Sequence, residues 1–272
     1  ISASGSAESV DVVVLGGSST VVATLVLEGN CDATYPLRFV ADPTTRTVGV
    51  WDTSKPTLRF AATNDTAPCV NFSDTSGRLQ HVEFEGLNFD WPQAYNGGTA
   101  TSFFANFTPN AAGSRIVFDR CYFKGATATG SAPKFWLWGE SNNGPFTAKN
   151  CVFADTDYSG SGAFYIVRYP RSASEGISEF YNCTFINSLS NSSRFAEALS
   201  SGSARVTNCL FVNHGSSCDS GSFASESGKN ASTAASGLPG SDNTYDISSS
   251  GLFVGSGNYH LTSSDDWAAG PS

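Results

Sequence analysis

Seven cysteines, three histidines and a few closely spaced carboxylates are the residues of this 272-residue chain best suited to chemistry. Four of the cysteines sit in related peptides: Arg120-Cys121-Tyr122-Phe123, Asn150-Cys151-Val152-Phe153, Asn182-Cys183-Thr184-Phe185 and Asn208-Cys209-Leu210-Phe211, spaced by 30, 32 and 26 residues. A fifth copy, Gly86-Leu87-Asn88-Phe89, lies 34 residues before the first. Cys121, Cys151, Cys183 and Cys209 either pair as disulfides or act as small buried hydrophobes stacked on their counterparts. Leu87 fills the same slot in the fifth copy and the cysteine total is odd, which favours stacking. Cys31, Cys69 and Cys218 show no metal-ligand spacing.

Hydrolysis of a glycosidic bond needs two carboxylates about 5–9.5 Å apart across one groove. Asp155 and Asp157 are two residues apart, but they occupy a turn slot that Asn187 and Asn213 fill in later copies, so turn capping accounts for them. Glu83 and Glu85 flank Phe84 as solvated strand residues, and Asp265-Asp266 is close to the chain end. His81, His214 and His260 join no nucleophile–base pattern. Six Asn-x-Ser/Thr sequons, at Asn64, Asn71, Asn106, Asn182, Asn191 and Asn230, are near chance in a chain so rich in Asn, Ser and Thr. No catalytic residue, metal or cofactor is expected.

Composition narrows the partners. With 15 Lys+Arg against 24 Asp+Glu the formal charge is −9, and such a chain gains nothing from counterion release on nucleic acid. No apolar run approaches the 18 residues or so of a spanning helix, so no membrane partner is expected. The absence of Met, with Ile1 first, suggests a chain that is processed or taken from a longer product.

The strongest surface signal is aromatic. In Lys134-Phe135-Trp136-Leu137-Trp138-Gly139-Glu140, strand alternation places Phe135 and Leu137 on one face and Lys134, Trp136, Trp138 and Glu140 on the other. The face bearing Lys134 and Glu140 should be outward, which would present two tryptophans to the outside, with Phe104 and Tyr165 at similar places in neighbouring copies. Three uses suit such a stripe: burial under a loop, a subunit interface, or stacking on sugar rings.

The elements that must position these residues follow from the repeat. Aligned on the Cys/Leu87 slot, the copies carry Phe89, Phe123, Phe153, Phe185 and Phe211 two residues later. Phe84, Phe118, Ala148, Phe180 and Val206 come three residues earlier, and Val82, Ile116, Phe146, Ser178 and Ala204 two before those. This is strand alternation interrupted once per copy at the Asn or Gly, a bend between two short strands. A further strand follows in each copy, over Thr101–Phe107, Lys134–Trp138, Ala163–Val167 and Arg194–Leu199. Self-similarity at this period without a helical half predicts an all-β fold, a single-stranded parallel β-helix (solenoid) of about eight or nine coils. Residues 1–213 are read as the β-helix, 214–250 as a long Ser/Gly-rich surface excursion, and 251–272 as a terminal coil closing the rod.

The Asn-Cys-x-Phe copies resemble the coils of the pectate-lyase-like right-handed β-helix superfamily. Tyr35-Pro36-Leu37-Arg38-Phe39-Val40-Ala41-Asp42, Trp51-Asp52-Thr53-Ser54-Lys55-Pro56 and Gly257-Asn258-Tyr259-His260-Leu261-Thr262-Ser263 resemble its phage and environmental-virus members. The resemblance implies a right-handed coil. It does not imply one activity, since the superfamily mixes lyases, hydrolases, adhesins and virion proteins. The hydrolases carry an Asp pair, Gly-His-Gly and Arg-x-Lys; here only His214-Gly215 and the terminal Asp pair are found. Arg168-Tyr169-Pro170-Arg171 departs from the Arg-x-Pro-x-x-Arg of pectate lyases by two positions. The expectation is therefore a non-catalytic virion surface protein (capsid decoration, fibre or tail module), extracellular, working by subunit contacts and homo-oligomeric. The alternatives are a polysaccharide-binding or depolymerising tailspike-type enzyme, a lyase or glycoside hydrolase acting on host polysaccharide, and a bacterial surface adhesin fragment.

Overall fold

The computed structural model describes residues 2–3, 10–14, 18–21, 25–26, 28–29, 31, 34, 36–47, 51–60, 70–72, 81–91, 101–106, 115–125, 127–128, 134–139, 145–154, 157–158, 164–169, 176–186, 193–198, 203–212, 222–233, 237–248, 250, 253–255 and 258–261, some of them by backbone alone. Among these there are strands, turns and bends and no helix. The strands build three parallel sheets in which each strand pairs with its counterpart in the next copy. Sheet I stacks Val10–Val14, Leu37–Ala41, His81–Glu85, Arg115–Asp119, Phe146–Lys149, Ser178–Tyr181, Ser203–Thr207 and Ser222–Phe223. Sheet II stacks Ser18–Val21, Thr57–Phe60, Asn88–Asp90, Tyr122–Lys124, Val152–Ala154, Thr184–Ile186, Leu210–Val212 and Ala231–Ser232. Sheet III stacks Leu25–Val26, Val70–Phe72, Thr101–Asn106, Lys134–Gly139, Phe164–Tyr169 and Ser193–Ala198. The chain visits the sheets in the order I, II, III and then returns to I, an arrangement consistent with a solenoid.

The core follows from that register. In sheet I, Val82, Ile116 and Phe146 pair in one row and Phe84, Phe118, Ala148, Phe180 and Val206 in another. Burial alternates along each strand accordingly. In sheet II the Phe of every copy stacks on the next: Phe123 on Phe153 at 4.2 Å, Phe153 on Phe185 at 5.2 Å and Phe185 on Phe211 at 4.8 Å between ring centroids, within 25° of parallel. Stacks of this kind contribute about 0.5–1.5 kcal/mol per pair beyond the area buried.

The bend between sheets I and II is a residue in the left-handed region. Gly86, Arg120, Asn150, Asn182, Asn208, Lys229 and Asp242 all have φ between 53° and 71°. Glycine and asparagine tolerate this conformation best, which is why Asn recurs there. Each bend keeps its place in the ladder: the N–H of Gly86, Arg120, Asn150, Asn182, Asn208 and Lys229 donates to the carbonyl just before the next bend. The exposed amides also join across coils. Asn208 Nδ2 donates to Asn182 Oδ1 at 2.7 Å, Asn182 to Asn150 at 3.3 Å, and Asn150 to Asp119 Oδ1 at 2.9 Å.

The row of bends corrects one reading of the sequence. Its spacing shrinks from 34, 30, 32 and 26 residues to 21 and then 13, so residues 222–247 extend the stack instead of leaving it as an excursion. Ser222–Phe223 pairs with Ser203–Ala204, Ala231–Ser232 with Leu210–Phe211, and single bridges join Gly228 to Ser241 and Ala231 to Thr244. The Cys slot is filled by Asn230 and Asn243 and the Phe slot by Ser232 and Tyr245, so the motif is unrecognisable although its backbone persists. Asn230 is fully buried. Its Oδ1 accepts from Cys209 N–H at 2.9 Å and its Nδ2 donates to the carbonyls of Val206 and Pro239. Among the described residues of 251–272, Phe253–Gly255 and Asn258–Leu261 pair with each other antiparallel, which is a hairpin and not a parallel coil.

Two substitutions test this architecture. Phe153→Ala should cost about 3–5 kcal/mol, because the rings of Phe123 and Phe185 cannot close over the gap; urea unfolding reads this directly. Asn150→Ala should cost about 1–2 kcal/mol for a Cβ-bearing residue without a polar tip held at positive φ, and Asn150→Gly should cost less. Equal losses for Ala and Gly would assign the effect to the amide ladder alone.

Candidate functional site

The aromatic stripe is only partly on the surface. Trp136 is completely buried, against Trp91 at 5.5 Å, Phe103 at 5.1 Å and Phe123 at 5.4 Å. Leu137, its neighbour, is also in the core. Simple alternation fails because sheet III is irregular at one place in every coil. The register runs Ser102–Phe135–Tyr165–Arg194 and Phe104–Leu137–Val167–Ala196, and passes over the intervening Phe103, Trp136, Ile166 and Phe195. Those four residues belong to the same buried cluster as Phe104, Leu137 and Val167, so two successive side chains turn inward at a corner. Phe104 is likewise core, stacked on Phe72 at 6.0 Å and edge-on to Phe89 at 4.9 Å. Tyr165 is buried too. Lys134 is described by its backbone, paired with Thr101 and Phe164, and Glu140 lies outside the described residues, as do Asp155 and Asp265-Asp266.

Trp138 is the member of the stripe that stays partly exposed. It lies in the row Ala105–Trp138–Arg168–Glu197, and the Arg168 guanidinium sits over its ring at 5.1 Å from the centroid. An aromatic face paired with a cation can stack on a planar or sugar ring and hold a carboxylate at the same time.

The outer face of sheet I carries charge, and that charge is spent within the face. Glu83 and Glu85, two apart on one strand, are both held by Arg38, through Nε at 2.8 Å and a terminal nitrogen at 3.2 Å. Arg120 and Arg46 also reach Glu85, and His81 Nε2 lies 3.0 Å from Glu83. Further along, Glu179 is gripped by Arg115 at 2.6 Å and Arg205 at 2.9 Å and accepts from the Tyr181 hydroxyl at 2.8 Å. Arg115 reaches Glu179 across the intervening coil, whose residue in that row is the small, buried Thr147. Carboxylates pinned between guanidiniums are poor proton donors and poor nucleophiles. On sheet II, burial pushes the Asp90 carboxyl up, against the opposing pull of Arg59 and Lys124. It stands in a row between those two cations.

The cysteine column is interior. Cys121, Cys151, Cys183 and Cys209 are buried free thiols. Each lies near a carbonyl of the previous coil: Phe84, Phe118, Ala148 and Phe180, at 3.4–3.6 Å. Burial pushes the thiols of Cys121, Cys151 and Cys183 well above their ordinary value. Cys31 is a further buried free thiol, on the His81 carbonyl at 3.0 Å. Cys69 and Cys218 lie outside the described residues. Among the described residues no three His, Cys, Asp or Glu side chains are grouped to hold a metal.

The chain matches no known protein-family model, and no curated protein is significantly similar to it in sequence.

The thiol column gives a pH prediction. A group whose proton is held more tightly in the folded chain stabilises it below the ordinary thiol value, and that contribution is lost as pH rises past it. Unfolding free energy should fall at alkaline pH, and Cys151→Ser should shrink the fall. In native protein Cys121, Cys151, Cys183 and Cys209 should resist a thiol-reactive dye and become reactive in denaturant. Rapid native labelling of Cys151 would contradict the assignment.

Proposed function

We propose that the chain is a non-catalytic structural module, a right-handed β-helix of about eight or nine coils that works by lateral contacts with other subunits on a particle or cell exterior. The observation that carries this reading is the outer face of sheet I. Its close carboxylate pair, the residues best placed for hydrolysis, is neutralised by Arg38, Arg46 and Arg120. Eight strands in each of two sheets support the coil count, and the right hand rests on the resemblance to pectate-lyase-like coils. The phage-like stretches at Tyr35–Asp42, Trp51–Pro56 and Gly257–Ser263 favour a virion surface as the setting, as capsid decoration, fibre or tail module. Buried thiols and ion-paired acids leave Trp138 with Arg168 as the contact point best suited to a partner.

The same pair supports a second reading, in which the rod binds an acidic polysaccharide: the Trp138 ring would stack on a sugar face and Arg168 would hold a carboxylate.

The test separates core from surface. Trp136→Ala should destabilise the chain by about 3–5 kcal/mol. Trp138→Ala should change stability by less than about 1 kcal/mol and weaken self-association in sedimentation, or retention on an acidic polysaccharide if the second reading holds. Release of reducing or unsaturated ends from a capsular polysaccharide by the wild-type chain would overturn the non-catalytic reading. Unchanged assembly and unchanged retention in Trp138→Ala would remove Trp138 as the contact.

A further inference from the structure

Sheet II has a second apolar face. Its Phe column points into the core, so the residues on either side of each Phe lie on the outside of the rod. Tyr122, Val152, Ala154, Ile186, Leu210, Val212 and Ala231 form a buried cluster there, separate from the core and at most 8% exposed. That burial is supplied within the single chain. Two pieces of the cover are visible. At one end Trp51 packs on Tyr122 at 5.5 Å, with Lys124 Nζ over its ring at 4.7 Å. At the other end Ile247 packs on the cluster while its N–H donates to the Ser232 carbonyl at 3.0 Å. The stretch between them is covered by something else.

We propose that the C-terminal hairpin, Phe253–Gly255 with Asn258–Leu261, is a strap laid across this face from Ile247 toward Trp51. The chain leaves Ile247 on the cluster itself. Six residues to Phe253 can span up to about 20 Å. The strands from Ala231–Ser232 back to Tyr122–Lys124 cover four steps of about 4.8 Å, or about 19 Å. The hairpin supplies Phe253, Val254, Tyr259 and Leu261, and from Gly251 to Leu261 the only titratable side chain is His260, so its desolvation costs little. A two-stranded hairpin is at best marginally stable alone in water, yet these strands are paired, with Phe253 opposite Leu261. The hairpin needs an apolar platform and the platform needs a cover.

Hydrogen–deuterium exchange on the full chain tests the strap. The paired amides of 253–261 should exchange at least about tenfold more slowly than an unprotected chain. The full-length double variant Phe253→Asp/Leu261→Asp should lose that protection, bind a hydrophobic dye several-fold more strongly and speed exchange at Leu210–Val212. Exchange at Ile116–Phe118 in sheet I should not change. Self-association of the variant through the uncovered face would also support the strap. Hairpin amides that exchange at unprotected rates in the wild type would overturn it, as would a double variant with unchanged dye binding and unchanged exchange at Leu210–Val212.

Discussion

Each coil must place the same side chain over the same side chain of the coil before it, about 4.8 Å away. Every other feature of this molecule accommodates that constraint. Phenylalanine satisfies it by stacking, as in the run Phe123–Phe153–Phe185–Phe211, and asparagine by passing a hydrogen bond along the exposed edge of the bend. Cysteine satisfies it by being small enough to sit beneath the preceding coil with its sulfur against a carbonyl. The left-handed bend makes the stacking cumulative, since each copy turns the corner at the same residue and its N–H still reaches the next coil.

Where the repeated residue was chemically conspicuous, it could be read directly. The inward rows of sheet I, the Phe column and the buried cysteines follow from alignment on the Cys/Leu87 slot. Trp136 could not be placed that way. The alternation rule assumes an even pleat, and the coil turns a corner within sheet III at Trp136, so a residue counted as outward is interior. The signal was present in its neighbours: Phe103, Ile166 and Phe195 are all bulky and apolar at the same place. The taper at 222–247 was hidden for the opposite reason. The backbone slot persists at Lys229 and Asp242, but Asn230 and Asn243 replace the thiols and the coil length falls. Near the end of a rod a buried amide can satisfy backbone groups that no further coil will reach, so polar residues serve where hydrophobic ones serve elsewhere.

The same geometry bears on function. A flat face built from equivalent positions on successive coils brings charges into register, and on sheet I that register joins acid to guanidinium across as many as two coils. Such a network contributes modestly to stability and leaves few groups free for acid–base chemistry. Trp138 and Arg168 differ because their row carries small Ala105 on one side, which leaves the ring partly open.

The central claim, parallel coils in register on the Phe column, is tested most directly by nuclear Overhauser contacts in the full chain. The account predicts ring-to-ring contacts linking Phe123 to Phe153, Phe153 to Phe185 and Phe185 to Phe211, with backbone contacts in the parallel pattern between Val152 and Thr184. Contacts joining these strands in an antiparallel pattern, or Phe rings without contacts across copies, would contradict it.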